Sequence, residues 1–141
     1  MFAKGTTYAI KAMCFLALQT KKEEWVSLAA ISSGIQSPIA FTAKVMQRLR
    51  KAGLVISVLG PKGGFRLPQN QRISLKEIVV TVEGSGLFER CGLGLETCSA
   101  DTPCPIHPYY EGLKADLNRI LEEAYLDELT WDLVSKRIDL C

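Results

Sequence analysis

The stretch Ser37–Leu67, S-P-I-A-F-T-A-K-V-M-Q-R-L-R-K-A-G-L-V-I-S-V-L-G-P-K-G-G-F-R-L, decides the fold. Its first part predicts a helix from Pro38 to about Lys51, because Ser37 is a good N-cap, Pro38 suits the first helical position and Gly53 can end the helix. Two short β runs, V-I-S-V and F-R-L, then flank a Gly/Pro turn, which predicts a hairpin. A helix followed by such a hairpin is typical of a helix-turn-helix with a wing.

The apolar residues of this third helix predict one buried face, and the polar residues predict an exposed one. The expected buried residues are Phe41, Val45, Met46 and Leu49. The expected exposed residues are Thr42, Lys44, Gln47, Arg48 and Lys51. A recognition helix presents such residues to bases and phosphates, and a wing adds cations beside it. Any one of these lysines could simply belong to a solvated basic face. The basic residues of the helix and of the wing, taken together, favour a DNA-binding surface. The candidate DNA-binding residues are Ser37, Phe41, Thr42, Lys44, Arg48, Lys51, Gly60, Lys62, Gly63, Gly64 and Arg66.

Two helices are expected before this unit. Residues 6–20 carry apolar side chains around most of a helical circumference, which predicts a helix packed between two bodies. Cys14 lies within its main apolar stripe and is interpreted as a small buried hydrophobe rather than a ligand. A short strand is expected at Trp25-Val26, after which Ser27 can cap a second helix that directs Leu28, Ile31 and Ile35 inward.

The chain after the wing predicts a short helix at 73–82, capped by Ser74, and a long helix from Pro108 to about Leu129. Residues 130–140 predict one or two final helical turns. The long helix has an apolar seam that little of the remaining chain can cover, so we expect a second copy of the chain to cover it. Packing on its own domain is the alternative. The expected dimer-interface residues are Leu113, Leu117, Ile120, Leu121 and Ala124.

Between these helices lies C-G-L-G-L-E-T-C-S-A-D-T-P-C-P-I-H, which holds Cys91, Cys98, Cys104 and the sole histidine, His107. Three thiolates and an imidazole suit zinc or an iron–sulfur cluster rather than magnesium or calcium. The spacing, C-x6-C-x5-C-x2-H, is close to that of small RNA-binding zinc modules, but those place aromatic residues between the ligands and this loop has none. Its Gly and Leu content instead favours a cluster screened from water. His107 is the candidate fourth ligand.

The totals limit the remaining possibilities. A chain of 141 residues is expected to form one domain, or one domain with an appended arm. A net charge of +2 does not by itself indicate a nucleic-acid partner. No secretory signal or membrane span is visible, so a cytoplasmic location is expected, and clustered cysteines there indicate metal or redox chemistry. No arrangement typical of an enzyme active site is present, and we expect no catalytic residues.

The segments T-Y-A-I-K-A-M, F-T-A-K-V-M-Q-R-L-R-K-A-G-L-V, G-P-K-G-G-F-R-L and the cysteine loop resemble the Rrf-two family of bacterial winged helix-turn-helix regulators, which includes IscR- and NsrR-like iron–sulfur regulators. The resemblance covers nearly the whole chain. It implies a homodimer built on the long helix, DNA binding through the third helix and wing, and a cluster on Cys91, Cys98 and Cys104. His107 matches the position of the ligand histidine in IscR-like members.

Three positions depart from the family pattern. The first gap between cysteines is six residues, where IscR-like members have five. Leu59 stands where an arginine commonly precedes the wing glycines, which weakens an expected minor-groove contact. Thr7 stands about where some members take a carboxylate ligand from the partner subunit.

The expected fold is mostly α with a small β-hairpin wing, that is, a winged helix-turn-helix domain plus a long dimerisation helix. The expected parts are a DNA-binding domain at 1–83, a cluster-binding loop at 84–107, and a dimerisation helix and tail at 108–141. The expected function is that of a regulator that binds a pseudo-palindromic DNA operator as a homodimer. It would sense redox, iron–sulfur or nitric-oxide status through a 2Fe-2S or 4Fe-4S cluster. A purely structural zinc site and a metal-free thiol sensor are the alternatives.

Overall fold

A computed structural model describes residues 1–19, 24–96 and 100–140. Within these residues the elements are α1 (Lys4–Gln19), α2 (Leu28–Gly34), α3 (Ile39–Lys51), β1 (Ile56–Val58), β2 (Gly64–Arg66), α4 (Leu75–Glu83), α5 (Gly86–Glu89), α6 (His107–Glu123) and α7 (Leu126–Ser135). The order of helices followed by a hairpin confirms the predicted mostly helical, winged helix-turn-helix fold.

The core lies around α1, whose neighbours are α2, α3, α4 and α7. The expectation that α1 is packed between other elements is therefore confirmed, and the reason is its apolar circumference. Cys14 is fully buried in this core, as predicted. The largest fully buried apolar side chains are Met13, Leu16, Ile31, Met46, Leu49, Ile78 and Val79.

The wing is a two-stranded antiparallel hairpin in which Ser57 pairs with Phe65. The expected short strand at Trp25-Val26 is present only as a single bridge from Val26 to Phe65. Val26 N donates to Phe65 O at 2.9 Å, and Phe65 N donates to Val26 O at 2.8 Å. This bridge attaches the base of the wing to the residues just before α2.

Serine side chains cap the start of two of the described helices. Ser27 Oγ accepts a hydrogen bond from Ala30 N at the start of α2, as predicted. Ser74 and Glu77 form a reciprocal capping box at the start of α4. The prediction that Ser37 caps α3 is wrong, since Pro38 occupies the N-cap position and α3 has no side-chain cap.

The long helix predicted from Pro108 to about Leu129 is instead two helices, α6 and α7. Ala124 and Tyr125 are extended because their backbone pairs with the entry to α4. Leu75 N donates to Ala124 O, and Leu126 N donates to Ile73 O, both at 2.8 Å. The break lets α7 bury Leu126 and Leu133 in the core. Periodicity alone does not reveal this break, because the apolar spacing continues through it.

The short helix α5 lies in the segment after α4 for which the sequence predicts a loop. No helix in the described ranges combines the length and apolar character needed to cross a membrane.

Candidate nucleic-acid interface and metal centre

The turn between α2 and α3 is held by buried hydroxyl groups. Ser32 Oγ donates to Ser37 O at 2.6 Å, and Thr42 Oγ1 donates to Pro38 O at 2.9 Å. The hydroxyls of Ser37 and Thr42 also share a hydrogen bond. Ser37 is 8% exposed and Thr42 is 1% exposed. The prediction that Thr42 lies on the outer face is wrong, because its hydroxyl satisfies the backbone of the turn. Both residues orient α3 from inside the protein.

The outer face of α3 is basic and polar. Lys44, Gln47, Arg48 and Lys51 are exposed, as predicted. Arg50, which is not among the predicted DNA-binding residues, is exposed as well, and its Nη2 donates to Gln47 Oε1 at 3.2 Å. The three-residue spacing of Gln47 and Arg50 is the signal that could have found this pair.

Phe41 lies at the edge of this face rather than in the core. Its side chain is 37% exposed, so the prediction that it is buried is wrong. Its ring meets the ring of Tyr8 edge to face, with centroids 5.5 Å apart. The ammonium of Lys4 lies 5.9 Å from the Tyr8 ring centroid. The start of α1 therefore lies beside the first turns of α3.

The hairpin tip is open, whereas its base is closely packed. Gly60 has a φ of +107°, and Leu59 beside it is 96% exposed. Lys62 is exposed next to them. A side chain on Gly63 would collide with Val58 O, and one on Gly64 with Val26 O. These last two glycines are therefore required by contacts within the chain itself.

Arg66 does not project freely from the wing. Its guanidinium lies 4.3 Å from the centroid of the Trp25 ring, and the residue is half-buried. Stacking of this kind uses the flat guanidinium face. Arg66 thus fixes the base of the wing against the residues before α2.

A groove of about 570 Å³ separates the wing from α3. Gln47 and Arg50 line one side, and Leu59 and Gly60 lie on the other. The groove runs beside the exposed cations of α3. It gives that face a concave shape bordered by the hairpin tip.

Arg48 is exposed, but its guanidinium already makes a hydrogen bond within the chain. Its Nη1 donates to Val82 O at 3.0 Å, at the end of α4. This carbonyl belongs to the last turn of α4, where backbone acceptors have no partner within the helix. No local sequence pattern predicts this bond, because the two residues lie 34 positions apart.

Both described ends of the cysteine loop lie at the start of α6. Cys91 is buried, and a Cβ on the adjacent Gly92 would lie 2.9 Å from the Tyr110 ring. Only glycine allows this close approach of the backbone to the ring. At the other end, His107 N donates to Cys104 O at 2.9 Å. Cys104 is half-buried.

His107 is the first residue of α6, and Pro108 follows within the first turn. The helix therefore starts one residue before the predicted start at Pro108. Its side chain is 11% exposed, with Nε2 3.5 Å from Glu111 Oε2. Cys98, the middle predicted ligand, lies outside the described residues. Among the residues that the structure does describe, no three metal-binding side chains come together.

Cys14 is chemically separate from this loop. Burial raises the pKa of its thiol to about 11, so it stays protonated near neutral pH. A protonated, buried thiol is neither a nucleophile nor a metal ligand. Cys141 lies outside the described residues.

Some residues of the predicted dimer seam are exposed, whereas others are buried within their own chain. Leu113 is 61% exposed and Ile120 is 53% exposed, while Leu117 is half-buried. Leu121 is buried within its own chain, and α6 packs on α4 and α5. Ala124 lies at the break after α6.

A three-helix body with a hairpin wing and a basic face on its third helix defines the class of winged-helix transcription regulators. Within that class, the sequence model of Rrf2, described as an iron-dependent transcriptional regulator, matches residues 2–132. The chain therefore belongs to the Rrf2 family. This family consists of DNA-binding regulators rather than enzymes, as expected from the sequence.

Relatives and solved structures agree with this assignment. The HTH-type transcriptional regulator IscR of Vibrio cholerae is 34% identical over 138 residues, which cover 94% of this chain and 79% of IscR. The structure of T. potens IscR is 25% identical, with a TM-score of 0.71 over 94% of this chain and 87% of that one. CymR, the global cysteine regulator of B. subtilis, has a TM-score of 0.72 at 20% identity over 92% of this chain and 95% of its own. The likeness to CymR concerns the fold.

Proposed function

We propose that this Rrf2-family regulator binds an iron–sulfur cluster through Cys91, Cys98 and Cys104, with His107 as the fourth ligand, and that the state of the cluster controls its binding to DNA. The observation that carries this proposal is that the backbone beside Cys91 and the backbone of Cys104 both lie at the first turn of α6. Gly92 packs on Tyr110 at one end of the loop, and His107 N bonds Cys104 O at the other.

The chemistry of the donors fits such a cluster. Cysteine thiolates are its usual ligands, and a histidine in place of one thiolate occurs in some clusters. Cys91 is buried, and His107 is mostly buried on the first turn of α6. The amino end of a helix favours negative charge by roughly 0.3–1 kcal/mol, which suits a centre held by thiolates. The family description as iron-dependent supports the same assignment.

A bound cluster would supply sensitivity to oxidation and to nitric oxide. The chain supplies the connection to DNA binding. The cysteine loop begins just after α4 and α5 and ends at α6, so its two ends join the DNA-binding elements to the proposed dimer helix. A change in the order of the loop would shift α6 relative to α4. The spacing of two recognition helices in a dimer depends on that relation.

The proposed DNA surface is the exposed face of α3 with the tip of the wing. Lys44, Lys51 and Lys62 are its phosphate-binding candidates, with Gln47 and Arg50 in the groove beside them. Gly60 leaves the wing backbone open toward the duplex. Ser37, Thr42, Gly63, Gly64 and Arg66 shape this surface from within, and Phe41 lies at its edge.

A homodimer through the exposed side of α6 would present two such surfaces. Leu113 and Ile120 form the uncovered part of the seam. A two-fold dimer reads a pseudo-palindromic operator whose half-sites lie about one helical turn apart, or multiples of it. We propose this assembly as the DNA-binding form.

The test is anaerobic purification followed by an absorption spectrum and analysis of iron, sulfide and zinc. A brown protein with visible bands, iron and sulfide supports the proposal. A colourless protein with stoichiometric zinc would identify a structural zinc site, and a metal-free protein whose DNA binding follows thiol oxidation would identify a thiol sensor.

Variants assign the ligands. Cys91→Ala should abolish the visible bands, whereas His107→Ala should leave a labile cluster with a shifted spectrum and potential. Cys14→Ala is the matched control, because Cys14 is buried in the core and should not affect the cluster. A wild-type spectrum and potential in His107→Ala would remove His107 from the ligand set.

A further inference from the structure

The end of α4 is where three parts of the protein meet. Arg48 of the recognition helix donates to Val82 O at 3.0 Å. Glu83 Oε1 accepts a hydrogen bond from Ala3 N at 2.6 Å, just before α1. Gly84, with a φ of +78°, then turns the chain toward α5 and Cys91.

The contact of Arg48 with Val82 has a clear electrostatic reason. The last carbonyls of a helix lack partners and carry partial negative charge, so a cation there is stabilising. The last turn of α4 contains no basic residue of its own. Arg48 from α3 therefore supplies the cation that α4 lacks.

Packing around Val82 provides a second connection between the end of α4 and the recognition helix α3. A Cβ on Gly5 would lie 3.4 Å from Val82 Cγ1 and 3.6 Å from Phe41 Cζ. The end of α4 thus touches α1 at a point where α1 also touches the recognition helix. A displacement of Val82 would be transmitted to α3 through the bond to Arg48 and through this packing.

We infer that Arg48 is a positioning residue, which holds the recognition helix to the end of α4 and so passes movements of the segment leading to Cys91 on to the DNA-binding face. This role differs from the phosphate contact that an exposed arginine on α3 would otherwise suggest. The link to Cys91 rests on the proposed function, whereas the positioning of α3 does not.

The test compares Arg48→Gln with Lys44→Gln, one turn earlier on α3, in the full chain. The measurements are DNA affinity as a function of salt and amide hydrogen exchange at Gly84, whose N–H bonds Val80 O at 2.9 Å. Removing a phosphate contact lowers the slope of log K against log salt by about 1. We expect that loss in Lys44→Gln.

Arg48→Gln should instead keep the wild-type salt slope, weaken binding by about tenfold, and speed exchange at Gly84. Arg48→Lys should restore part of the protection, since lysine can also bond terminal carbonyls. The affinity ratio between cluster-loaded and cluster-free protein should shrink in Arg48→Gln. A salt slope reduced by about 1 in Arg48→Gln overturns the proposal, and so does unchanged exchange at Gly84.

The two proposals fail in different ways. If wild-type DNA affinity does not depend on the cluster, control of DNA binding by the cluster is refuted. The salt slope and the hydrogen exchange at Gly84 still test whether Arg48 positions α3. If the wild-type protein binds no DNA, exchange at Gly84 alone decides whether Arg48 holds α4.

Discussion

At the scale of single residues, hydroxyl and thiol groups that resemble functional groups prove to be structural. Thr42 lies on α3 where a contact with bases or phosphates was expected, yet its hydroxyl bonds Pro38 O and Ser37 in the turn. Cys14 is one of five cysteines but lies in the core. Their roles follow from burial, which the order of residues on a helix predicts only approximately.

Thr42→Ala should destabilise the protein by about 1–2 kcal/mol, because it removes a buried hydrogen bond and a buried methyl group. Thr42→Ser is the matched control, since it keeps the hydroxyl and should recover most of the loss. Urea unfolding of both variants measures this. If Thr42→Ala instead changed the operator sequence preference and kept the wild-type stability, Thr42 would be a DNA-contacting residue.

Cys14 should resist alkylation in the native protein at pH 8, since burial raises its pKa to about 11 from the ordinary 9.0. Between about pH 9 and pH 11 the unfolded chain loses this proton while the folded chain keeps it. The free energy of unfolding should therefore fall with rising pH in that window. Denaturant titrations should show a smaller fall in Cys14→Ala. Rapid native alkylation of Cys14 would contradict its burial.

At the scale of elements, α6 has two different sides. Leu121 faces the protein's own core, while Leu113 and Ile120 are exposed. The Lys76 side chain of α4 donates to Glu122 of α6, and this hydrogen bond keeps the pKa of Glu122 below its usual range. The apolar face left uncovered on α6 is the part available to a second copy.

Ile120→Asp should convert the proposed dimer to a monomer without unfolding the chain, because the charge would be buried only at the proposed interface. Val134→Asp on α7 is the matched control, since Val134 is 62% exposed and lies outside the seam. Sedimentation at micromolar concentration measures the result. A wild-type monomer, or a dimer unaffected by Ile120→Asp, would refute the interface.

At the scale of the whole molecule, local charge matters more than the total. The net charge is only +2, yet Lys44, Lys51 and Lys62 lie on the α3 and wing side of the protein. Counterion release from DNA responds to such local clusters, because each neutralised phosphate frees bound cations.

Binding to an operator selected from genomic fragments should weaken by about 10³–10⁵-fold between roughly 50 and 200 mM salt, if six to ten phosphates are contacted. Fluorescence anisotropy over a salt series gives the slope. Lys62→Gln should lower that slope by about 1, as expected of a phosphate contact at the wing tip. Salt-independent binding would be incompatible with this surface.

The sequence by itself determined the class of fold, because its signals are local. Apolar spacing predicted α1 to α3, serine caps predicted the starts of α2 and α4, and the Gly/Pro turn predicted the wing. The same local signals identified the cysteine loop and predicted the start of α6 to within one residue, at Pro108 instead of His107.

The tertiary structure decided what depends on contacts between distant segments. Pairing of Ala124 with Leu75 and of Leu126 with Ile73, at the entry to α4, breaks the long helix, although its apolar spacing continues. The bond from Arg48 to Val82 joins residues 34 positions apart. Burial of Thr42 and exposure of Phe41 depend on how α1 and the α2–α3 turn pack on α3. Helical periodicity specifies which residues share a face, but only packing against other elements specifies which face is covered.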